Sequence, residues 1–226
     1  DLDTRKATFL EASLPKIKAK QMLETEPVVI AANDGMRLHA LLTRPASKAK
    51  QLPLIINVHG GPFGVTDFWG FHPESQFFAS RGYAVLQVNY RGSGNRGSDF
   101  ERAGYRQWGT RMQQDLVDAT EWAIKEGIAD PKRVCIYGGS YGGYAALWGV
   151  IKDPDLYRCA VGIVGVYDLV QFRKGDGSDF NRFGGDYFEK FMKARVGEDP
   201  EALRAVSPVH HVDKRSEEHT SELQSH

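Results

Sequence analysis

The chain is poor in cysteine, has no surplus of either charge and contains no long apolar run. Its two cysteines, Cys135 and Cys159, each sit in an apolar, strand-like context. Two small buried thiols are the expected reading, with a disulfide as the alternative, and neither settles the compartment. Lys+Arg and Asp+Glu are equal at 29 each. A net charge of zero gives no reason to expect nucleic acid or an anionic membrane as a partner. No apolar run approaches the roughly 20 residues of a membrane span. Neither a metal-ligand cluster nor a glycine-rich phosphate loop appears, so no metal and no cofactor are expected. A signal peptide is also lacking, but the chain begins with Asp1 rather than Met, and its natural start is expected to be missing. With 41% hydrophobic and 26% charged residues, what remains is the composition of a soluble globular domain.

The element order is β-rich first and then alternating. Residues 28–31 and 36–42, joined through Asn33-Asp34-Gly35, read as a hairpin. Strands are expected at 54–58, 84–89, 134–137 and 160–164, with helices at 73–80, 111–126 and 141–151. Along the second of these helices Met112, Leu116, Ala119 and Ala123 recur at helical spacing and read as core. The glycines between 175 and 185 read as a mobile surface loop. Alternation of this kind predicts a mostly parallel sheet with helices on both faces, an α/β fold. Sites in such sheets lie at the carboxyl ends of the strands.

Two motifs fall at such ends. Gly138-Gly139-Ser140-Tyr141-Gly142-Gly143 separates the apolar run 133–137 from the buried-helix run 144–150. With 24 glycines in the chain, a bare Gly-x-Ser-x-Gly is expected by chance roughly 0.13 times. Spacing alone therefore decides little. The strand before and the helix after make it a nucleophile elbow, where a strained turn lifts the serine hydroxyl to the top of the sheet. The second motif, His59-Gly60-Gly61-Pro62, follows the strand-like run 54–58. Acyl-transfer enzymes need two N–H donors aimed at the oxygen that becomes negative. Tyr141, the residue after the nucleophile, would supply one and Gly61 the other. A tight turn without chemistry is the plainer reading of His-Gly-Gly-Pro, but the pairing with the elbow favours the oxyanion role.

These segments resemble the catalytic domain of the prolyl oligopeptidase family of serine peptidases, which includes dipeptidyl and acylaminoacyl peptidases. The matching runs are 33–40, 58–62, 81–85 and Asn89-Tyr90-Arg91-Gly92-Ser93, then Trp108-Gly109, Asp115, Gly139-Ser140-Tyr141-Gly142-Gly143-Tyr144, Ser207-Pro208 and His211-Val212-Asp213. They span about residues 28–214. The resemblance implies an α/β-hydrolase fold, incomplete at its carboxyl end, and a peptide substrate attacked by Ser140. Some members carry a tyrosine where His59 stands, so more of the oxyanion work here is expected of Gly61. By the same resemblance Val166, Leu169 and Phe172 line the pocket for the P1 side chain, an apolar wall; ordinary core is the alternative. Arg91 and Asp115 read as loop-organising groups.

Residues 1–27 read as a linker, with 1–6 resembling the hairpin turn of a β-propeller blade. At the other end, residues 215–225 resemble the translation of a common short-read sequencing adapter, so 215–226 are expected to be a non-native tail. This bears on chemistry. Ser140 needs a histidine base and an acid to orient it, and in this fold the chain order is Ser, then Asp, then His. Both are expected beyond Lys214. Histidines 39, 59, 72, 210 and 211 read as structural, and 219 and 226 as tail. The chain as given is therefore expected to be inactive, with residues 160–164 forming an unpaired edge. A carboxylesterase of the same fold and a non-catalytic hydrolase-like binding domain are the alternatives. Oligomeric state and compartment are not legible.

Overall fold

The computed structural model describes residues 3–9, 14–45, 49–174 and 179–212. The expected tail at 215–226, with His219 and His226, lies outside them. The strands are β1 (Thr25–Ala31), β2 (Arg37–Thr43), β3 (Leu52–Val58), β4 (Ala84–Asn89), β5 (Ala129–Gly139) and β6 (Cys159–Ile163). The helices are α1 (Pro73–Ala79), α2 (Ser98–Arg102), α3 (Arg111–Lys125), α4 (Tyr141–Lys152), α5 (Leu169–Lys174), α6 (Asp179–Arg195) and α7 (Pro200–Ala205).

The strands form one sheet in the order β1-β2-β4-β3-β5-β6. β1–β2 and β2–β4 pair antiparallel, while β3–β4, β3–β5 and β5–β6 pair parallel. Only β2 runs against the rest. This is the α/β-hydrolase architecture. β4 is buried along its whole length and β3 along nearly all of it, as parallel strands covered on both faces must be. α4 packs on the face that carries Val134 and Ile136, with Gly149 against Ile136. α1 packs on the opposite face, where Phe78 meets Tyr137 edge-on at 5.5 Å and Ser75 donates to Gln87 at 2.8 Å. The expected core stripe holds: Met112, Leu116, Ala119 and Ala123 are all fully buried.

Several local expectations change. β1 starts at Thr25, because the Thr25 and Thr43 hydroxyls pair across the hairpin at 2.8 Å. Leu23 is already clasped to α1 through both its backbone groups and the Gln76 amide. Of the loop expected at 175–185, residues 175–178 lie outside the described residues and the rest is helix: α6 starts at Asp179 and runs through Gly184 and Gly185. The glycine-free run that follows is a good helix former, and Met192 within it is buried in the core. α2, α5 and α7 are helices that sequence reading missed. For α7 the signal was present, since Asp199 caps it and Pro200 opens it.

Cys135 and Cys159 are register partners on β5 and β6, and they form a disulfide. The expectation of two buried thiols placed them on separate strands without knowing that those strands are neighbours. The face they share is only half-buried. β6 is the sheet edge among the described residues, with Val161 and Ile163 42% and 45% exposed, an edge of the kind expected from the sequence.

Candidate active site

The strand order reverses at β3. From β3 the chain passes through α1 to β4 on one side, then through α3 to β5 on the other. The carboxyl ends of β3 and β5 therefore lie side by side at the switch point, where sheets of this class place their sites. Val58 pairs with Gly138 in register, so the glycine-rich loop leaving β3 and the elbow leaving β5 start level with each other.

Ser140 is the single residue between β5 and α4. Its φ of 56° and ψ of −118° lie outside the regions that L-residues favour, a conformation that costs about 1–3 kcal/mol. Two groups hold it there: Ser140 N donates to Ile163 O at 2.9 Å, and Tyr144 N donates to Ser140 O at 3.1 Å. Its side chain makes no capping hydrogen bond, and the residue is exposed. The hydroxyl is thus available at the carboxyl edge, beside the positive end of α4.

The turn is tight because its flanks lack side chains. A Cβ at Gly138 or Gly142 would overlap the Val58 carbonyl oxygen. Gly60 lies against the elbow: a Cβ there would meet Gly139 O at 3.2 Å and Ser140 Cβ at 3.3 Å. Gly61 is exposed, with φ +118°, on the loop at the same edge as Ser140. Tyr141 is the first residue of α4, so its N–H has no acceptor within the helix.

Below the elbow lies an aromatic cluster. Tyr141 and Tyr144 are fully buried and Trp108 nearly so. Trp108 meets Tyr141 edge-on at 4.6 Å, and Tyr90 lies 5.1 Å from Tyr141. The Tyr141 side chain is therefore a packing element. Of the three expected wall residues, Leu169 is fully buried, while Val166 and Phe172 are partly buried. Phe172 reaches Trp108 at 6.1 Å. Leu169 N is held by Ser207 Oγ at 3.0 Å, and that hydroxyl in turn donates to Leu203 O at 2.7 Å.

The loops around the site are fastened from behind. Arg91 grips Asp115 through Nε and Nη2 and pairs with Asp34 at 2.8 Å, tying the β1–β2 turn to α3. The hydrogen bond from Arg91 holds the Asp34 carboxyl below its ordinary range. The Asn89 side chain accepts from Thr66 Oγ1 and Asp67 N and donates to Asp67 O, fixing the loop after Gly61. Sequence reading assigned the Asn89–Ser93 run to the resemblance but gave only Arg91 a role. The pairing of Asn89 with a loop 22 residues away has no local signal.

The described histidines have the following surroundings. His72 caps α1, accepting from Ser75 N. His59 contacts Ser93 and Gly60 O. His211 reaches Ala205 O and packs on Trp148. His39 lies on β2, and His210 closes a 3₁₀ turn. Among the described residues no group of three or more His, Cys, Asp or Glu could hold a metal ion, and no helix is long and apolar enough to cross a membrane.

The description "Prolyl oligopeptidase family" matches residues 69–224. Dipeptidyl aminopeptidase BIII of Pseudoxanthomonas mexicana is 44% identical over 72% of this chain and 24% of its own length. Dipeptidyl peptidase family member 6 of Caenorhabditis elegans is 31% identical over 93% of this chain and 31% of its own. Among solved structures, a puromycin-hydrolyzing peptidase of Mycobacterium tuberculosis superposes with a TM-score of 0.78 at 27% identity, over 93% of this chain and 31% of that one. The chain thus spans about a quarter to a third of the length of these relatives. With the match running through the elbow and over more than half of its residues, this chain belongs to the prolyl oligopeptidase family.

Proposed function

We propose that this chain is the nucleophile-bearing part of a serine peptidase that cleaves peptide amides through an acyl-enzyme on Ser140. One observation carries the reading: an exposed serine held at φ 56° between β5 and α4, within a chain of peptidase lineage. In the first step Ser140 Oγ bonds to the substrate carbonyl carbon, and its proton passes to a histidine base. The C–N bond then breaks and the proton leaves on the amine. Water, deprotonated by the same base, releases the acid. The Gly61 and Tyr141 N–H groups bind the oxyanion of each tetrahedral intermediate. Val166 and Phe172, backed by Leu169, form the apolar wall facing the P1 side chain. The base and its acid partner come from outside the described residues.

The test is Ser140→Ala in the full-length protein, assayed on dipeptidyl, acylaminoacyl and prolyl amides alongside simple esters. Amide turnover should fall by several orders of magnitude, because nucleophile and base act as a unit. Near wild-type turnover by the variant refutes the assignment. Wild-type activity confined to the esters would favour the carboxylesterase reading.

A further inference from the structure

A cavity of about 300 Å³ opens at the carboxyl edge of the sheet, on the side of β2 and β4. Its floor is the hairpin face that carries Val29, His39 and Leu41. His39 pairs with Asn89 and Leu41 with Gln87, so this is the face on which α1 packs. Phe68 and Trp69, from the loop that leaves β3, form one wall, and Arg96, from the loop that leaves β4, completes the lining.

The cavity is preformed. Trp69 Nε1 donates to Thr25 O at 2.9 Å, which pins the indole to β1. Asn89 holds Thr66 and Asp67 of the same loop. Phe68 and Trp69 are nonetheless both 71% exposed. Two large rings on a fastened loop, left in solvent, are the makings of a binding wall and not of a core.

The polar part of the lining is one-sided. His39 and Arg96 have no hydrogen-bond or ion-pair partner among the described residues. Burial, and then the charges of Arg96 and Arg37, hold the His39 imidazole below its ordinary value. At neutral pH His39 therefore offers an N–H, and Arg96 offers the charge. Asp67, the one carboxylate in the lining, interacts instead with His59, His72 and Gln87. An unpaired guanidinium beside an N–H donor and an apolar floor suits an anion with an apolar body. A carboxylate accepts from both donors.

The place of the cavity on the sheet says which carboxylate. The apolar wall assigned to P1 follows β6, at one end of the sheet, and the cavity lies toward the other end with Ser140 between them. A peptide with its P1 side chain on that wall sends its leaving part toward β4 and β2. From β5 to β2 is three strand spacings, about 14 Å, which an extended chain of about four residues covers.

We propose that this cavity is a subsite for the carboxyl terminus of the leaving peptide: Arg96 and His39 bind a terminal carboxylate, and Val29, Leu41 and Trp69 take the apolar side chain of that last residue. The proposal rests on the peptidase reading and deepens it by naming a substrate class, peptides whose leaving part is short and ends in a free acid.

The test uses the full-length protein and the best amide substrate from the Ser140 comparison. That substrate is extended on its leaving side by Ala-Ala-Ala-Phe, as free acid or as carboxamide, with the cleaved bond identified by mass spectrometry. The acid should be cleaved with about tenfold higher kcat/KM, the worth of a charge-assisted hydrogen bond. In Arg96→Gln the ratio of acid to carboxamide should fall below about twofold. Arg96 is exposed, and an unchanged rate on the carboxamide shows that the variant is folded. With Ala-Phe as the leaving part the carboxylate stops short of the cavity, so acid and carboxamide should be cleaved alike. A wild-type ratio near one overturns the proposal without recourse to any variant. A ratio that survives Arg96→Gln, or an equal ratio on the two-residue leaving part, overturns it as well. Absence of Ser140-dependent cleavage of either peptide would instead overturn the peptidase reading, and the subsite with it.

Discussion

A methyl group added at Gly142 would overlap the Val58 carbonyl oxygen and come within 3.0 Å of Val58 C. Both atoms belong to β3, which pairs with a strand on each side and cannot withdraw. In Gly142→Ala it is therefore α4 that must move, and it carries Tyr141 N and Ser140 with it. The same methyl at Gly139 meets only Ile163 O, at 3.8 Å, an ordinary contact, and Gly139 is not among the residues with positive φ. Overpacking of a rigid site costs about 1–3 kcal/mol. At about 2–4 °C per kcal/mol for a unit of this size, Gly142→Ala should lower Tm by roughly 2–12 °C. A shift of the elbow by about 1 Å should cost about 10²-fold in kcat. Gly139→Ala should leave both nearly unchanged. Thermal unfolding and steady-state turnover of the two variants in the full-length protein are the assay. A Gly142→Ala variant with wild-type Tm and kcat, or a Gly139→Ala variant equally damaged, would refute the argument that the close approach of α4 to β3 sets the elbow.

The cysteines should be recovered as one cross-linked peptide pair when the non-reduced protein is digested and weighed by mass spectrometry; separate free-thiol peptides would contradict the β5–β6 disulfide. Ser207→Ala removes the acceptor for Leu169 N, leaving a buried N–H without its partner, and should destabilise by about 1–3 kcal/mol; an unchanged denaturation midpoint would contradict this. Burial pushes the His59 imidazole below its ordinary value, with the Asp67 charge opposing. Its contribution to stability is therefore complete above about pH 6.5 and is lost as pH falls through that value toward the lowered one, because the unfolded chain then binds the extra proton. Tyr90 and Asp67 are the titratable neighbours, and burial raises Asp67, whose effect has the opposite sign. The wild type should accordingly lose more Tm between pH 8 and pH 6 than His59→Asn does, and parallel curves for the two would refute the assignment.

The position of the candidate site was legible in order along the chain. A glycine-flanked serine between an apolar strand and an apolar helix is a local pattern, and Ser140 sits where that pattern put it. The hairpin, the central strands and the long helices were also local, since each carries its own periodicity and turn residues. The misses have the opposite character. The glycine-rich stretch after 178 became α6 because a helix-forming, core-anchored segment follows it. β5 runs from Ala129, well before its apolar run, because Ala129 pairs with Leu52 on the neighbouring strand. Cys135 and Cys159 met because β5 and β6 are adjacent and in register.

The sequence by itself determined which backbone could bend sharply, which residue types could act as nucleophile and N–H donors, and which faces had to be buried. Only the tertiary structure decided that β3 and β5 are neighbours, that the chain reverses its winding direction at β3, and that His59 would find Ser93. The reason is range. Propensity, periodicity and turn chemistry are settled within a few residues of chain. Strand order, and the hydrogen bond between side chains 34 positions apart, are settled by burying both faces of the sheet at once, a condition that no single segment can express.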